Sequence, residues 1–113
     1  MLGRTVAFFT GIALANSLVF AQSFTATITG TVKDESGSVL QGAAVTAKHT
    51  ETGLTRASVS DASGSYSIPS LPVGAYEITA QVPGFKVELV RGIELAVAQE
   101  AVVNVTLQVG NVE

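Results

Sequence analysis
One imidazole, His49, and no thiol are available for chemistry in this chain of 113 residues. Serine-type catalysis needs a histidine close to its nucleophile and an acid that orients it. His49 has inward parity, but it stands beside Thr50 and Glu51 at a strand end, which marks it as a turn-adjacent surface or edge residue. A zinc peptidase needs several ligands, usually His with Glu, and one His without Cys does not supply them. The acids Asp34, Glu35 and Asp61 fall in turn segments. A calcium loop concentrates oxygen ligands over a short span. Asp61-Ala62-Ser63-Gly64 offers one carboxylate, which suits a bond to its own turn backbone. No helix follows Gly37 or Gly64, so neither opens a phosphate loop. The residue types thus predict no catalytic residue, no cofactor and no metal site.

Composition narrows the partners further. The chain is 47% hydrophobic and only 13% charged, with a net charge of -3. Nucleic-acid binding rests on clustered Lys and Arg that neutralise phosphates. Arg4, Lys33, Lys48, Arg56, Lys86 and Arg91 are scattered instead, so nucleic acid is excluded as a partner. Without Cys, the small domain has no disulfide staple and depends on its core or on a neighbour.

The first segment reads as an address. Met1 to Arg4 is a short basic region, and Val6 to Ala15 is an apolar run broken by Thr10 and Gly11. Val19 and Ala21 then fit signal-peptidase cleavage after Ala21, with a mature start at Gln22. A membrane-spanning helix wants about 20 apolar residues, and this run is shorter and is followed by Asn16 and Ser17. Residues 1–21 are therefore expected to be a signal peptide and residues 22–113 one domain. Cleavage removes Arg4 and leaves the domain mildly acidic.

From Thr25 onward the hydrophobic period is two, which predicts half-buried strands. Ala26, Ile28 and Val32 share one face, and Val45 and Ala47 a second. Ala57 and Val59 are expected inward, against Arg56, Ser58 and Ser60 outward. Tyr66 and Ile68 form a short inward pair before a rigid corner, Pro69 to Gly74. Tyr76, Ile78, Ala80 and Val82 give the clearest alternation. Phe85, Val87 and Leu89 predict one further strand, Ile93, Leu95 and Val97 another, and Val103, Val105, Leu107 and Val109 the last. Residues 93–101 have helical propensity, but their alternation favours strand. Turn signals every 8–12 residues complete the pattern of a small antiparallel β-sandwich of about seven strands, an all-β fold.

The order of these pieces resembles the carboxypeptidase regulatory-like domain, a transthyretin-like sandwich. The carriers are Ile28 to Asp34, Gly37, Gly42 to Val45, Thr50 to Gly53, Asp61 to Tyr66, Leu71 to Tyr76, Pro83-Gly84-Phe85 and Val103 to Leu107. They span roughly residues 25 to 109. Gln41 departs from the family, which usually has Pro before this Gly-Ala, and the change loosens that turn. Gly37, Gly53 and Gly64 are expected at positive φ, and Tyr66, Tyr76 and Phe85 as the large inward side chains.

The leader followed directly by such a domain is similar to the N-terminal extension of Oar-like TonB-dependent outer-membrane receptors. That resemblance implies export to the periplasm or outer membrane of a Gram-negative bacterium. It implies a plug and a β-barrel in the remainder of a longer receptor chain, the only route to the membrane. A stand-alone copy is the other expectation. The implied function is non-catalytic: folding support or contact with a protein partner. A carbohydrate-binding module is the second reading, although Trp is absent and Tyr66 and Tyr76 have core parity. Asn104-Val105-Thr106 matches a glycosylation sequon inside an expected strand and is read as accidental in a bacterial chain. N-terminal sequencing of the protein from cell-envelope fractions is expected to begin at Gln22. A sequence that begins at Met1 would identify an uncleaved anchor.

Overall fold
The computed structural model describes residues 25–110. The expected signal peptide lies outside the described residues. No helix occurs among the described residues, which form eight strands. They are β1 (Thr25–Asp34), β2 (Ala44–His49), β3 (Thr55–Val59), β4 (Ser65–Pro72), β5 (Gly74–Gln81), β6 (Glu88–Leu95), β7 (Glu100–Val102) and β8 (Val105–Leu107). One sheet runs β4-β1-β7, with β8 also paired to β1, and the other runs β3-β2-β5-β6.

The two sheets meet over the period-two faces. Ile28 lies opposite Ile68 on β1 and β4, and Ala47 lies opposite Ile78 on β2 and β5. Ile28, Val32, Val45, Leu71, Tyr76, Ile78 and Leu107 are fully buried between the sheets. Each such side chain contributes about 1.5–3 kcal/mol by leaving water. That scale explains how a chain without disulfides closes a core at all.

Two turns are built alike. In Asp34-Glu35-Ser36-Gly37-Ser38, the Asp34 carboxylate accepts from the Ser36 and Ser38 amides at 2.9 and 3.0 Å. In Asp61-Ala62-Ser63-Gly64-Ser65, Asp61 accepts from Ser63 and Ser65 at the same distances, 2.9 and 3.0 Å. Each glycine takes the positive φ that the turn demands, 92° at Gly37 and 77° at Gly64. Gly53 is likewise at 80°. The turn at Gln41 closes without the family's proline, because the Gly42 amide reaches the Ser60 carbonyl at 2.9 Å.

Several strands differ from the alternation read along the chain. β3 has the opposite parity: Ala57 and Val59 are exposed, and Ser60 is buried. The cause is polar. The Ser60 hydroxyl accepts from the Ala43 amide at 2.8 Å and donates to the Leu40 carbonyl at 2.6 Å. Turning Ser60 inward turns its neighbour Val59 outward, since side chains alternate strictly along a strand.

The expected corner at Pro69 to Gly74 is shorter than its prolines suggest. β4 continues through Pro69, Ser70 absorbs the irregularity at φ 60°, and the chain changes sheets at Val73 alone. The strands expected around Leu89 and Ile93 are one strand, β6, bulged where Gly92 stands at φ 77°. Val87, Val97 and Val109 are exposed, and Phe85 is half-buried rather than a core side chain. The sandwich is also not antiparallel throughout, for β7 and β8 both run parallel to β1.

That parallel pairing needs one strand to shift between β7 and β8 while crossing β1. It does so at Val103-Asn104. The Val103 amide donates to the Thr29 carbonyl at 2.7 Å, and the Asn104 side chain accepts from the Thr31 amide at 3.0 Å. The Tyr66 hydroxyl donates to the Val103 carbonyl at 2.6 Å. Gly30 lies beneath this contact, where a Cβ would overlap the Val103 carbonyl and stand 2.9 Å from the Tyr66 ring. Burial pushes the Tyr66 phenol up to about 12.

Gly30→Ala is expected to destabilise by roughly 1–3 kcal/mol through overpacking. Tyr66→Phe should cost roughly 1–3 kcal/mol by leaving the Val103 carbonyl unpaired. The raised phenol means the unfolded chain loses this proton first. Its contribution is complete below the ordinary tyrosine value of 10.0 and disappears as pH rises towards about 12. Denaturant titrations at neutral and alkaline pH should show that Tyr66→Phe loses less stability with rising pH than the parent.

Candidate functional site
His49 ends β2, and the structure buries it, contrary to its expected place at the surface. Its inward parity was legible. Its burial follows from partners distant in the chain. Nε2 lies 3.0 Å from the Val73 carbonyl, and Nδ1 lies 3.3 Å from the Thr52 amide. The Thr52 N–H donates, so Nδ1 is the lone-pair nitrogen and Nε2 carries the proton given to Val73. The ring meets Tyr76 edge-on at 5.0 Å between centroids, a favourable aromatic geometry.

Gly74 makes room for this arrangement. It stands at φ 136°, and a Cβ there would overlap the imidazole. The Tyr76 hydroxyl completes the cluster by donating to the Pro72 carbonyl at 2.6 Å. Burial raises the Tyr76 phenol, partly offset by the Arg56 charge. Both ring nitrogens of His49 and the Tyr76 hydroxyl are therefore engaged with backbone around the β4–β5 crossover. Among the described residues, both His49 nitrogens are bonded to backbone groups and neither is bonded to a hydroxyl.

The acids do comparable work. The Ser36 hydroxyl, together with turn amides, holds the Asp34 carboxyl below its ordinary value. Asp61 accepts from its own turn, as expected. Among the described residues, no three His, Cys, Asp or Glu side chains come together in a group that could hold a metal. Asn104, the sequon residue, is engaged through its side-chain oxygen with Thr31. The sequence does not mark Ser60 or Asn104 for these roles, because each falls at an ordinary outward position of an expected strand.

A shallow cleft of about 410 Å³ opens at one end of the β3-β2-β5-β6 sheet. Ala44, Gln81, Val82, Pro83, Phe85 and Val87 line it with two glycines. No lining side chain titrates, and Gln81 alone offers a side-chain hydrogen-bonding group. Such a cleft can hold an apolar group by contact but has no acid, base or nucleophile. The large apolar side chains that are exposed among the described residues are valines and one leucine, with no aromatic face among them.

His49→Ala is expected to lower stability by roughly 2–5 kcal/mol, the scale for emptying a buried site. Nitrogen-15 spectra of the neutral ring should show a protonated Nε2 and an unprotonated Nδ1. A mobile ring that averages the two tautomers would contradict this packing.

The sequence profile of the carboxypeptidase regulatory-like domain family matches residues 27–108. No curated protein is a significant match to the chain. Among solved structures, wild-type catechol 1,2-dioxygenase from Acinetobacter radioresistens superposes with a TM-score of 0.62 at 14% identity. That likeness covers 80% of this chain and 53% of the enzyme. The Bacillus anthracis TIE protein superposes with a TM-score of 0.60 at 18% identity, over 75% of this chain and 16% of that one. A putative carbohydrate binding protein from Bacteroides uniformis gives 0.57 at 16% identity, over 73% of this chain and 40% of that one. The chain thus spans only part of the length of each. At these identities the likeness shows the β-sandwich fold and nothing about activity.

Proposed function
Since the chain belongs to the carboxypeptidase regulatory-like domain family, we propose that it is a non-catalytic accessory module that acts by protein contact or folding support. In this reading it is exported and forms the N-terminal domain of a TonB-dependent-receptor-like outer-membrane protein. The observation that carries the non-catalytic part is the engagement of His49, whose two ring nitrogens are bonded to Val73 and Thr52 backbone groups. The imidazole braces a sheet crossover, and Asp34, Asp61, Ser60 and Asn104 are likewise bonded to backbone groups.

Carbohydrate binding is the second reading, favoured by the fold shared with a putative carbohydrate binding protein. The cleft beside Phe85 and Gln81 is its natural seat, with an apolar floor and one amide.

The test is made in the producing cell. Deleting residues 22–113 from the encoded protein is expected to lower the level or assembly of the envelope protein that it accompanies. Gln81→Ala, which alters the cleft alone, should leave that level unchanged. Specific glycan-array binding that Gln81→Ala abolishes would favour the second reading. Turnover by the purified protein that disappears in His49→Gln while the fold persists would overturn the non-catalytic reading.

A further inference from the structure
The outer strands of the two sheets are not equivalent. β4 carries Pro69, which lacks an N–H, and Ser70 at φ 60°. β6 carries the Gly92 bulge and the charges of Glu88, Arg91 and Glu94. β7 and β8 have three residues each. Proline, bulges, charges and shortness are the devices that keep a sheet edge from pairing with another chain. β3 has none of them except one charge, Arg56.

The direction of the β3 backbone follows from its pairing with β2. The His49 amide bonds the Leu54 carbonyl at 2.8 Å, and the Ser60 amide bonds the Ala43 carbonyl at 3.0 Å. In an antiparallel ladder such bonded pairs alternate. Leu54, Arg56, Ser58 and Ser60 therefore turn their backbone groups to β2. Thr55, Ala57 and Val59 turn theirs outward, where no strand among the described residues pairs with them. β4 of the other sheet lies on the inner side, where the Arg56 guanidinium donates to the Ser70 carbonyl at 3.3 Å. The Thr55, Ala57 and Val59 side chains lie on the outer face of the sheet, and Val59 is 64% exposed.

We propose that β3 is an interaction edge whose occupant is β3 of a second copy of this chain, paired antiparallel about Ala57. A second copy fits this edge because its own β3 supplies a matching register. Pairing through the outward groups requires an odd-numbered residue to face an odd-numbered residue. An axis at Ala57 sets Ala57 against itself, Thr55 against Val59 and Arg56 against Ser58, all without like charges face to face. An axis at Arg56 would oppose two guanidinium groups, which is unfavourable. An axis at Ser58 would run the pairing into the Asp61 turn. The chosen register joins the two β3-β2-β5-β6 sheets into one. Behind the joint Thr46 and Thr79 continue the Ala57 row, and Lys48 and Glu77, of opposite charge, continue the Thr55 row. Two five-residue edges make a small interface, and the dimer is accordingly a dissociable one. This inference rests on the protein-contact reading and names its surface and partner.

The chain has no Cys, so single cysteines report the register directly. In an antiparallel bonded pair the Cα atoms lie about 5.5 Å apart, within disulfide reach. Under mild oxidation of the purified protein, Ala57→Cys is expected to dimerise covalently roughly tenfold or more faster than the exposed control Val97→Cys, because pairing raises the effective thiol concentration. Thr55→Cys and Val59→Cys should cross-link efficiently when mixed and slowly when alone. Ala57→Pro removes an outward N–H that β2 does not use, which an edge strand tolerates. It should abolish concentration-dependent dimerisation in sedimentation velocity with the fold intact by circular dichroism.

A parent chain that stays monomeric from micromolar to millimolar concentration would overturn the proposal. So would cross-linking of Ala57→Cys no faster than the control, or its capture by a different envelope protein instead of by itself. The wider reading is tested apart from this one: the deletion phenotype would still stand if only the β3 register fails.

Discussion
The Val103 carbonyl must find a donor inside the sandwich, and the one it finds is the Tyr66 hydroxyl. Much of the first sheet is arranged around that bond. Tyr66 belongs to β4, Val103 lies between β7 and β8, and Gly30 of β1 passes beneath both. A side chain at Gly30 would push the carbonyl away. Without the carbonyl in place, β7 and β8 could not both pair parallel to β1, since the strand shift at Val103-Asn104 leaves ladder groups open. Asn104 closes one of them by accepting from Thr31.

The second sheet has a comparable brace at the opposite change of direction. Val73 carries the chain from β4 to β5 in a single step, and two of the carbonyls there are taken by side chains. Tyr76 donates to Pro72, and His49 donates to Val73. Gly74 supplies the space, as Gly30 does in the first sheet. In both places a tyrosine or histidine that looks capable of chemistry is a hydrogen-bond donor to an otherwise stranded carbonyl. A buried polar group left unpaired costs more than a paired one returns, so these side chains are held in place by the fold.

With the polar interior committed in this way, the remaining freedom of the molecule is at its edges and on its outer face. Three outer regions of the sheets are blunted by proline, bulge, charge or brevity, and β3 is not. The same event that buries Ser60 exposes Val59 and Ala57, so the internal polar contact and the character of the edge have one origin. Gly92 illustrates the reverse: its positive φ bends β6 and spoils that edge for pairing.

The sequence by itself determined the all-β class, most strand positions, the positive φ of the turn glycines Gly37, Gly53 and Gly64, and the core faces of β1, β2 and β5. These are local properties, because side-chain alternation and turn chemistry act over a few neighbouring residues. The asparate turns were legible for the same reason, Asp61 being bonded two and four residues ahead. Only the tertiary structure decided the parity of β3, the burial of His49, the merging of β6 and the parallel pairing of β7 and β8. Three of these depend on a partner far along the chain: Leu40 lies 20 residues from Ser60, Val73 lies 24 from His49, and Val103 lies 37 from Tyr66. A polar group's choice of partner is settled by which strands come to lie beside it, and a period-two pattern carries no record of that.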